Sequence, residues 1–127
     1  VTGVQTCALP MYPPLVLFCL SLNAMSFDAF SASSHFNINI LAEGQEYLST
    51  QFAKSGTDKW NGMNFGTSDS GCSVLPDCIA TLECTTRDIH DGGDHVIIVG
   101  EVNNFNNGAN GRRPLLFFQG SYNGLSG

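Results

Sequence analysis

The segment from His90 to Val102, His-Asp-Gly-Gly-Asp-His-Val-Ile-Ile-Val-Gly-Glu-Val, constrains this chain more than any other. A polar turn, Asp91-Gly92-Gly93-Asp94, runs straight into the β-branched residues Val96, Ile97, Ile98 and Val99, the pattern of a turn feeding a buried strand. Upstream, Ile79 to Ile89 reads as a long strand, so it is expected to pair across the turn with Val96 to Phe105 as a hairpin. His95 sits at the junction of turn and strand. A side chain there is anchored by the strand yet faces the open end of a sheet, which suits ligand contact. The same place also suits a residue that only caps the strand or bonds the turn.

A chain of 127 residues reads as one domain with a single modest core, and its 43% hydrophobic content argues against disorder. Five basic against eleven acidic side chains, a net charge of −6, argue against nucleic acid as a partner. An anionic nucleotide would have to be held locally by backbone N–H groups and hydroxyls. Cys7, Cys19, Cys72, Cys78 and Cys84 form an odd set without a Cys-x-x-Cys pair, so reduced thiols are expected rather than a metal site. Leu15 to Leu20 is apolar enough for a signal-peptide core. The first basic residue is Lys54, however, and no apolar run reaches membrane-spanning length, so a cytoplasmic protein without a membrane partner is expected.

Val1 to Pro10 has neither helical nor strand periodicity and resembles the in-frame translation of a common sequencing adapter. It is expected to be a non-native leader, with the native domain occupying 11–127; an unbroken natural reading frame through Val1 to Pro10 would overturn that. Pro13-Pro14 then opens a buried strand, Leu15 to Leu20, because proline tolerates a strand's first position. Ser21 to Ser26 breaks the run, and Ser26 is the expected N-cap of a helix from Phe27 to about Ser33. His35 to Leu41 alternates, with Phe36, Ile38 and Ile40 on one face and Asn37 and Asn39 on the other, as a half-buried strand does. Ala42-Glu43-Gly44 turns it into a helix, about Gln45 to Ala53, with Leu48 and Phe52 as its apolar stripe. Lys54 to Asp77 is rich in Gly, Ser, Asn and Asp; Trp60, Met63 and Phe65 are expected to anchor it. Pro114 to Gly120 reads as a last buried strand that delivers Tyr122 to the end of the sheet. The fold expected from these elements is mostly antiparallel β (α+β) with two short helices, in the manner of a barrel.

Taken in order, these segments resemble the flavin reductase-like family, the FMN-binding split β-barrels that serve as reductase components of two-component flavin monooxygenases. The resemblance rests on Pro13-Pro14-Leu15-Val16, on Phe36 to Ala42 followed by Gln45, Ser49 and Phe52-Ala53, and on Leu82-Glu83-Cys84. It rests equally on Gly93-Asp94-His95 with Gly100-Glu101-Val102, and on Pro114-Leu115-Leu116 with Gly120 and Tyr122. It implies that Ser21, Asn23, Met25, Ser26, Asn39, Leu41, Ala42, Gln45, Ser49 and Phe52 hold FMN or FAD. His95 would contact NADH or NADPH, with Asp94 shaping the turn and Tyr122 nearby. Physical chemistry agrees in part: Ser21, Asn23, Ser26 and Ser49 are neutral donors near helix starts, and Ala42 is small enough for close backbone approach. Ser26 and Ser49 also suit ordinary capping or surface roles, and His35 and His90 read as structural.

The family's first strands precede the Pro-Pro strand, and this chain has no counterpart for them, so an N-terminally incomplete barrel is expected. The resemblance implies hydride transfer from a reduced nicotinamide to the flavin, release of reduced flavin to a partner oxygenase, and a homodimer. No nucleophile or acid–base dyad is needed, and no catalytic side chain is assigned. A non-catalytic flavin-binding module, a split-barrel flavin oxidase and a secreted adhesive domain are the alternatives.

Overall fold

The computed structural model describes residues 12–53, 65–108 and 111–126. Val1 to Pro10 and the expected anchors Trp60 and Met63 lie outside the described residues. The elements in order are β1 (Leu15–Ser21), α1 (Phe27–Ala32), β2 (His35–Ile40), α2 (Glu46–Ala53), β3 (Gly66–Thr67), β4 (Ser73–Val74), β5 (Ala80–Gly92), β6 (His95–Asn107), β7 (Leu116–Phe118) and β8 (Ser121–Asn123). Strands predominate and the described helices are short, as the sequence predicts. The chain divides into two compact units, unit 1 from Val1–Phe36 and Cys84–Asn103, and unit 2 from Asn37–Glu83 and Asn104–Gly127.

In unit 1 the predicted hairpin forms, with both arms longer than the sequence suggested, because the turn uses only Gly93 and Asp94. Gly93 has φ of 78°, the glycine-first pattern of a type II′ turn whose twist matches the flanking strands. The sheet order is β1-β6-β5-β2. β1 runs antiparallel to β6 from Leu15 opposite Glu101 to Ser21 opposite His95. Just before it, the Pro14 carbonyl accepts from Val102 N–H at 2.9 Å, so the proline joins the ladder as an acceptor only.

Val16, Phe18 and Leu20 stand opposite Gly100, Ile98 and Val96, facing a core that contains Phe36, Cys84 and Ile98. The Phe18 ring meets Phe30 and Phe36 edge-on, with centroids 5.3 and 5.1 Å away. The expectation that Leu15 to Leu20 is a buried strand is corrected here: Leu17 is 61% exposed, and exposure alternates along the strand. β1 ends the sheet order and only its even-numbered side faces this core. The Ser26 cap is also absent, since Ser26 adopts φ −85° and ψ 0° and its side chain makes no capping bond. An N-cap side chain normally reaches the helix from extended backbone.

In unit 2, Leu48 on α2 packs with Leu75 and Cys78, and Leu41 and Phe52 lie against that cluster, so the predicted stripe does face a core. The Asn37 and Asn39 face of β2 is bonded to protein. Asn37 Nδ2 donates to Ser68 Oγ and the Ser73 carbonyl, and Asn39 Oδ1 accepts from Leu75 N–H and Thr81 Oγ1. Phe65, the described member of the three expected anchors, is 45% exposed. The predicted buried strand from Pro114 to Gly120 is instead half of a small ribbon. Gln119 and Gly120 take φ of 50° and 80° in a two-residue turn between β7 and β8, and Phe117 and Phe118 are exposed.

Gly100 is the tightest constraint in unit 1. A Cβ there would lie 2.7 Å from Phe36 Cε1 and 3.1 Å from Cys84 Cβ, both on buried residues. Gly100→Ala should therefore destabilise the protein by about 1–3 kcal/mol, as overpacking of a filled core does. Urea denaturation checks this; an unchanged midpoint would show that the Phe36 ring yields freely.

Candidate functional site

The residues expected to bind ligand fall into two groups, one in each unit. In unit 1, the Ser21–Ser26 loop and the Gly93-Asp94-His95 turn meet at one end of the β1–β6 pair. Ser21 is the direct partner of His95 in the ladder, and Leu22 N–H donates to the Asp94 carbonyl at 3.0 Å. Residues directly opposite in an antiparallel pair project to the same face, so the Ser21 and His95 side chains share one side of the sheet.

The loop is shaped by its own backbone, with Ala24 N–H bonded to the Ser21 carbonyl and Phe27 N–H to the Ala24 carbonyl, both at 3.0 Å. Ser21 Oγ accepts from Asn23 N–H at 3.2 Å and so retains its own proton for donation. Ser26 keeps its hydroxyl out of a cap bond, and Met25 is 75% exposed. A thioether beside hydroxyl donors fits a planar, acceptor-rich group such as a flavin.

His95 Nδ1 lies 2.7 Å from Asp94 Oδ1. An ionised carboxylate only accepts, so the proton sits on Nδ1 and Nε2 is left to meet a ligand. The His95 hydrogen bond, reinforced by the imidazole's charge, holds the Asp94 carboxyl below its ordinary value of 3.8. Asp94 also fills the second place of the turn, as expected. A shallow depression of about 230 Å³ elsewhere in unit 1, lined by Thr85, Thr86, Arg87 and Glu101, contains none of the expected site residues, and Arg87 and Glu101 pair across it at 3.1 Å.

In unit 2, Ala42 is fully buried and Gln45 is 3% exposed. Gln45 Oε1 accepts from Ala42 N–H and its Nε2 donates to the Pro76 carbonyl, both at 2.8 Å. The same turn is clamped by Leu115 N–H on the Leu41 carbonyl and Glu43 N–H on the Arg113 carbonyl. In this structure Ala42 has no exposed surface and both ends of the Gln45 amide are bonded, so the pair holds the turn before α2. Asn39 likewise ties β2 to the segment around Ser73–Leu75. Leu41 and Phe52 lie against the core, partly buried.

Ser49 and Tyr122 come together, the Tyr122 hydroxyl donating to Ser49 Oγ at 2.9 Å. Arg112, which the sequence did not single out, donates to the Glu43 carbonyl at 2.6 Å and braces the turn before α2. Nothing in its Gly-Arg-Arg setting distinguishes that role from a solvated surface charge. Cys78 is buried, and burial pushes its thiol up, with a hydrogen bond from Gln45 opposing, so it is an inert packing residue. Cys19, Cys72 and Cys84 are also thiols rather than disulfides.

The chain belongs to the family of the flavin reductase like domain, whose model matches residues 2–126. It is 38% identical over 119 residues to the flavin-dependent monooxygenase reductase subunit HsaB of Mycobacterium tuberculosis, covering 93% of this chain and 64% of that protein. Among solved structures, nitrilotriacetate monooxygenase component B from Mycobacterium thermoresistibile superposes with a TM-score of 0.83 at 40% identity, over 90% of this chain and 64% of that one. The NADH:FAD oxidoreductase SgcE6 of Streptomyces globisporus, solved with NAD and FAD fragments, gives a TM-score of 0.84 at 30% identity, over 90% of this chain and 69% of that one. The chain thus spans 64% of the length of the reductase subunit it matches.

Two outcomes follow from these geometries. Gln45→Leu keeps the volume but leaves the buried Ala42 N–H without its acceptor, and should cost about 1–3 kcal/mol in equilibrium unfolding; a neutral result would mean the turn holds without it. For Asp94, a depressed folded-state pKa adds stability above the unfolded-state value, and that stability is lost as pH falls through the folded-state value. The stability gap between wild type and Asp94→Asn should shrink as pH falls below about 5 and the Asp94 carboxyl is protonated. Denaturation at a series of pH values checks this, and a gap that widens in acid would contradict the Asp94–His95 bond.

Proposed function

We propose that the protein carrying this chain is an NAD(P)H-dependent flavin reductase that supplies reduced FMN or FAD to a partner monooxygenase. The observation that carries this reading is the register of β1 on β6, which sets the hydroxyl-bearing Ser21–Ser26 loop beside the His95 imidazole. When bound, the flavin supplies the redox chemistry, accepting a hydride from the reduced nicotinamide. In unit 1, Ser21, Asn23 and Ser26 would donate hydrogen bonds to it and Met25 would offer an apolar contact; in unit 2, Ser49 is the corresponding donor. Asn39, Leu41, Ala42, Gln45 and Phe52 are assigned with Ser49 to the flavin-binding part of unit 2, where Gln45 also holds the turn before α2. In unit 1, His95, oriented by Asp94, would contact the nicotinamide nucleotide; in unit 2, Tyr122 is assigned to the same class of ligand.

HsaB, a reductase subunit of a flavin-dependent monooxygenase, supports an oxygenase partner. The NAD and FAD fragments bound to SgcE6 support the ligand pair. The complete protein is read as a cytoplasmic homodimer with a closed split barrel, in which further strands or a second copy cover the exposed side of β1 at Leu15 and Leu17.

The test follows absorbance at the nicotinamide band with FMN, FAD or riboflavin added to the purified protein. Flavin-dependent loss of NADH is expected. Flavin binding without NADH oxidation would replace this reading with a non-catalytic module, and a yellow protein active without added flavin would indicate an oxidase. His95→Ala should raise the KM for the nicotinamide nucleotide about 3- to 10-fold, the worth of one hydrogen bond, with a smaller effect on flavin affinity. Equal losses in both would remove His95 from that role.

A further inference from the structure

Ser49 and Tyr122 lie 73 positions apart in sequence and share a partly buried hydrogen bond in which the phenol donates to Ser49 Oγ. Tyr122 is opposite Phe117 in the β7–β8 ribbon, and the Phe117 ring meets it edge-on at 5.1 Å, which limits the swing of the phenol. A phenol has one proton. With that proton committed to Ser49, Tyr122 Oη meets any further ligand as an acceptor. Ser49 Oγ has accepted, so it retains its own proton, and among the described residues that hydroxyl has no second partner. The pair is directional: a donor is wanted at the Tyr122 end and an acceptor at the Ser49 end.

We infer that Tyr122 and Ser49 form a one-way hydrogen-bond relay through which a nicotinamide nucleotide and a flavin strengthen each other's binding. This rests on the proposed function, which gives Tyr122 to the nicotinamide nucleotide and Ser49 to the flavin. The amide N–H of a carboxamide is the donor class that suits Tyr122 Oη, and a carbonyl or phosphate oxygen of the flavin is the acceptor class that suits the Ser49 proton. Bonds aligned donor to acceptor along a chain polarise one another in the same sense, so filling either end strengthens the middle bond and prepares the other end. Linkage makes the effect reciprocal. Tyr122 is therefore a positioning residue for the flavin, acting through Ser49. An acceptor group presented to Tyr122 would instead draw its proton away from Ser49 and make the two ligands antagonists.

The full chain is titrated with oxidised FMN, followed by flavin fluorescence, with and without saturating NAD⁺; with both ligands oxidised no hydride moves. In the wild type, NAD⁺ should lower the Kd for FMN by about twofold or more. Tyr122→Phe and Ser49→Ala should each bring that ratio to about one, whereas Ser49→Thr, which keeps the hydroxyl, should preserve it. A staple that only stabilises the fold would shift the melting temperature and both affinities but leave the ratio unchanged. A wild-type ratio of one or below, or a ratio that survives in Tyr122→Phe, overturns the relay. If Tyr122→Phe does not fold, the Ser49→Ala and Ser49→Thr pair decides, and equal ratios in the two overturn it. A wild type that binds no FMN removes the reductase reading itself.

Discussion

The close approach of the Phe36 ring to Gly100 governs what unit 1 can be. Strand pairing alone tolerates slippage, and a shift of one residue would turn every side chain of β1 to the opposite face. Only glycine at position 100 leaves room for Phe36, and Gly100 stands opposite Val16. Phe18, two residues along, then fills the space beside Phe36 and Phe30. Carried to the strand's end, the same register sets Ser21 opposite His95. The aromatic packing at one end of the ladder thereby fixes which polar side chains meet at the other.

Unit 2 fixes its part of the chain with hydrogen bonds more than with apolar bulk. Its buried cluster is small, centred on Leu48, Leu75 and Cys78, and the turn between β2 and α2 depends on a buried amide, that of Gln45. Asn39 plays the matching part for the segment leading to Leu75. Buried polar groups of this kind tolerate few neighbours, because an unmatched donor or acceptor there costs more than the bond returns. That is the reason for a glutamine in place of a leucine at a core position, and it acts before any ligand is considered.

The sequence made the long hairpin, the two helices and the Leu48–Phe52 stripe legible because each depends on local pattern: a glycine turn, a period, a run of β-branched residues. It failed at β1 and at Pro114 to Gly120, where apolar runs suggested burial that only tertiary neighbours could provide. Leu15 and Leu17 have the composition of a core strand, yet they lie on the side of β1 away from Phe36. At the candidate site, the Gly93-Asp94-His95 turn was legible as a turn, and its partnership with Ser21 depended on a pairing between distant segments. The Ser49–Tyr122 bond was beyond reach for the same reason: each residue could be marked separately, but no spacing rule joins a helix to a ribbon 73 positions later.

The chemistry of the donor groups also bears on how a flavin would be used. Hydrogen bonds to charged partners are roughly twice as strong as neutral ones, and a site built to keep a cofactor commonly uses a cation against the phosphate. Here the donors assigned to the flavin are serine hydroxyls and an asparagine amide. The basic side chains described in unit 2, Arg112 and Arg113, bond to the backbone carbonyls of Glu43 and Leu125. Neutral donors recognise an acceptor-rich ligand with modest affinity and release it readily. The reductase proposed above, which passes its flavin to another protein, needs that exchange, whereas an oxidase that cycles one bound flavin does not.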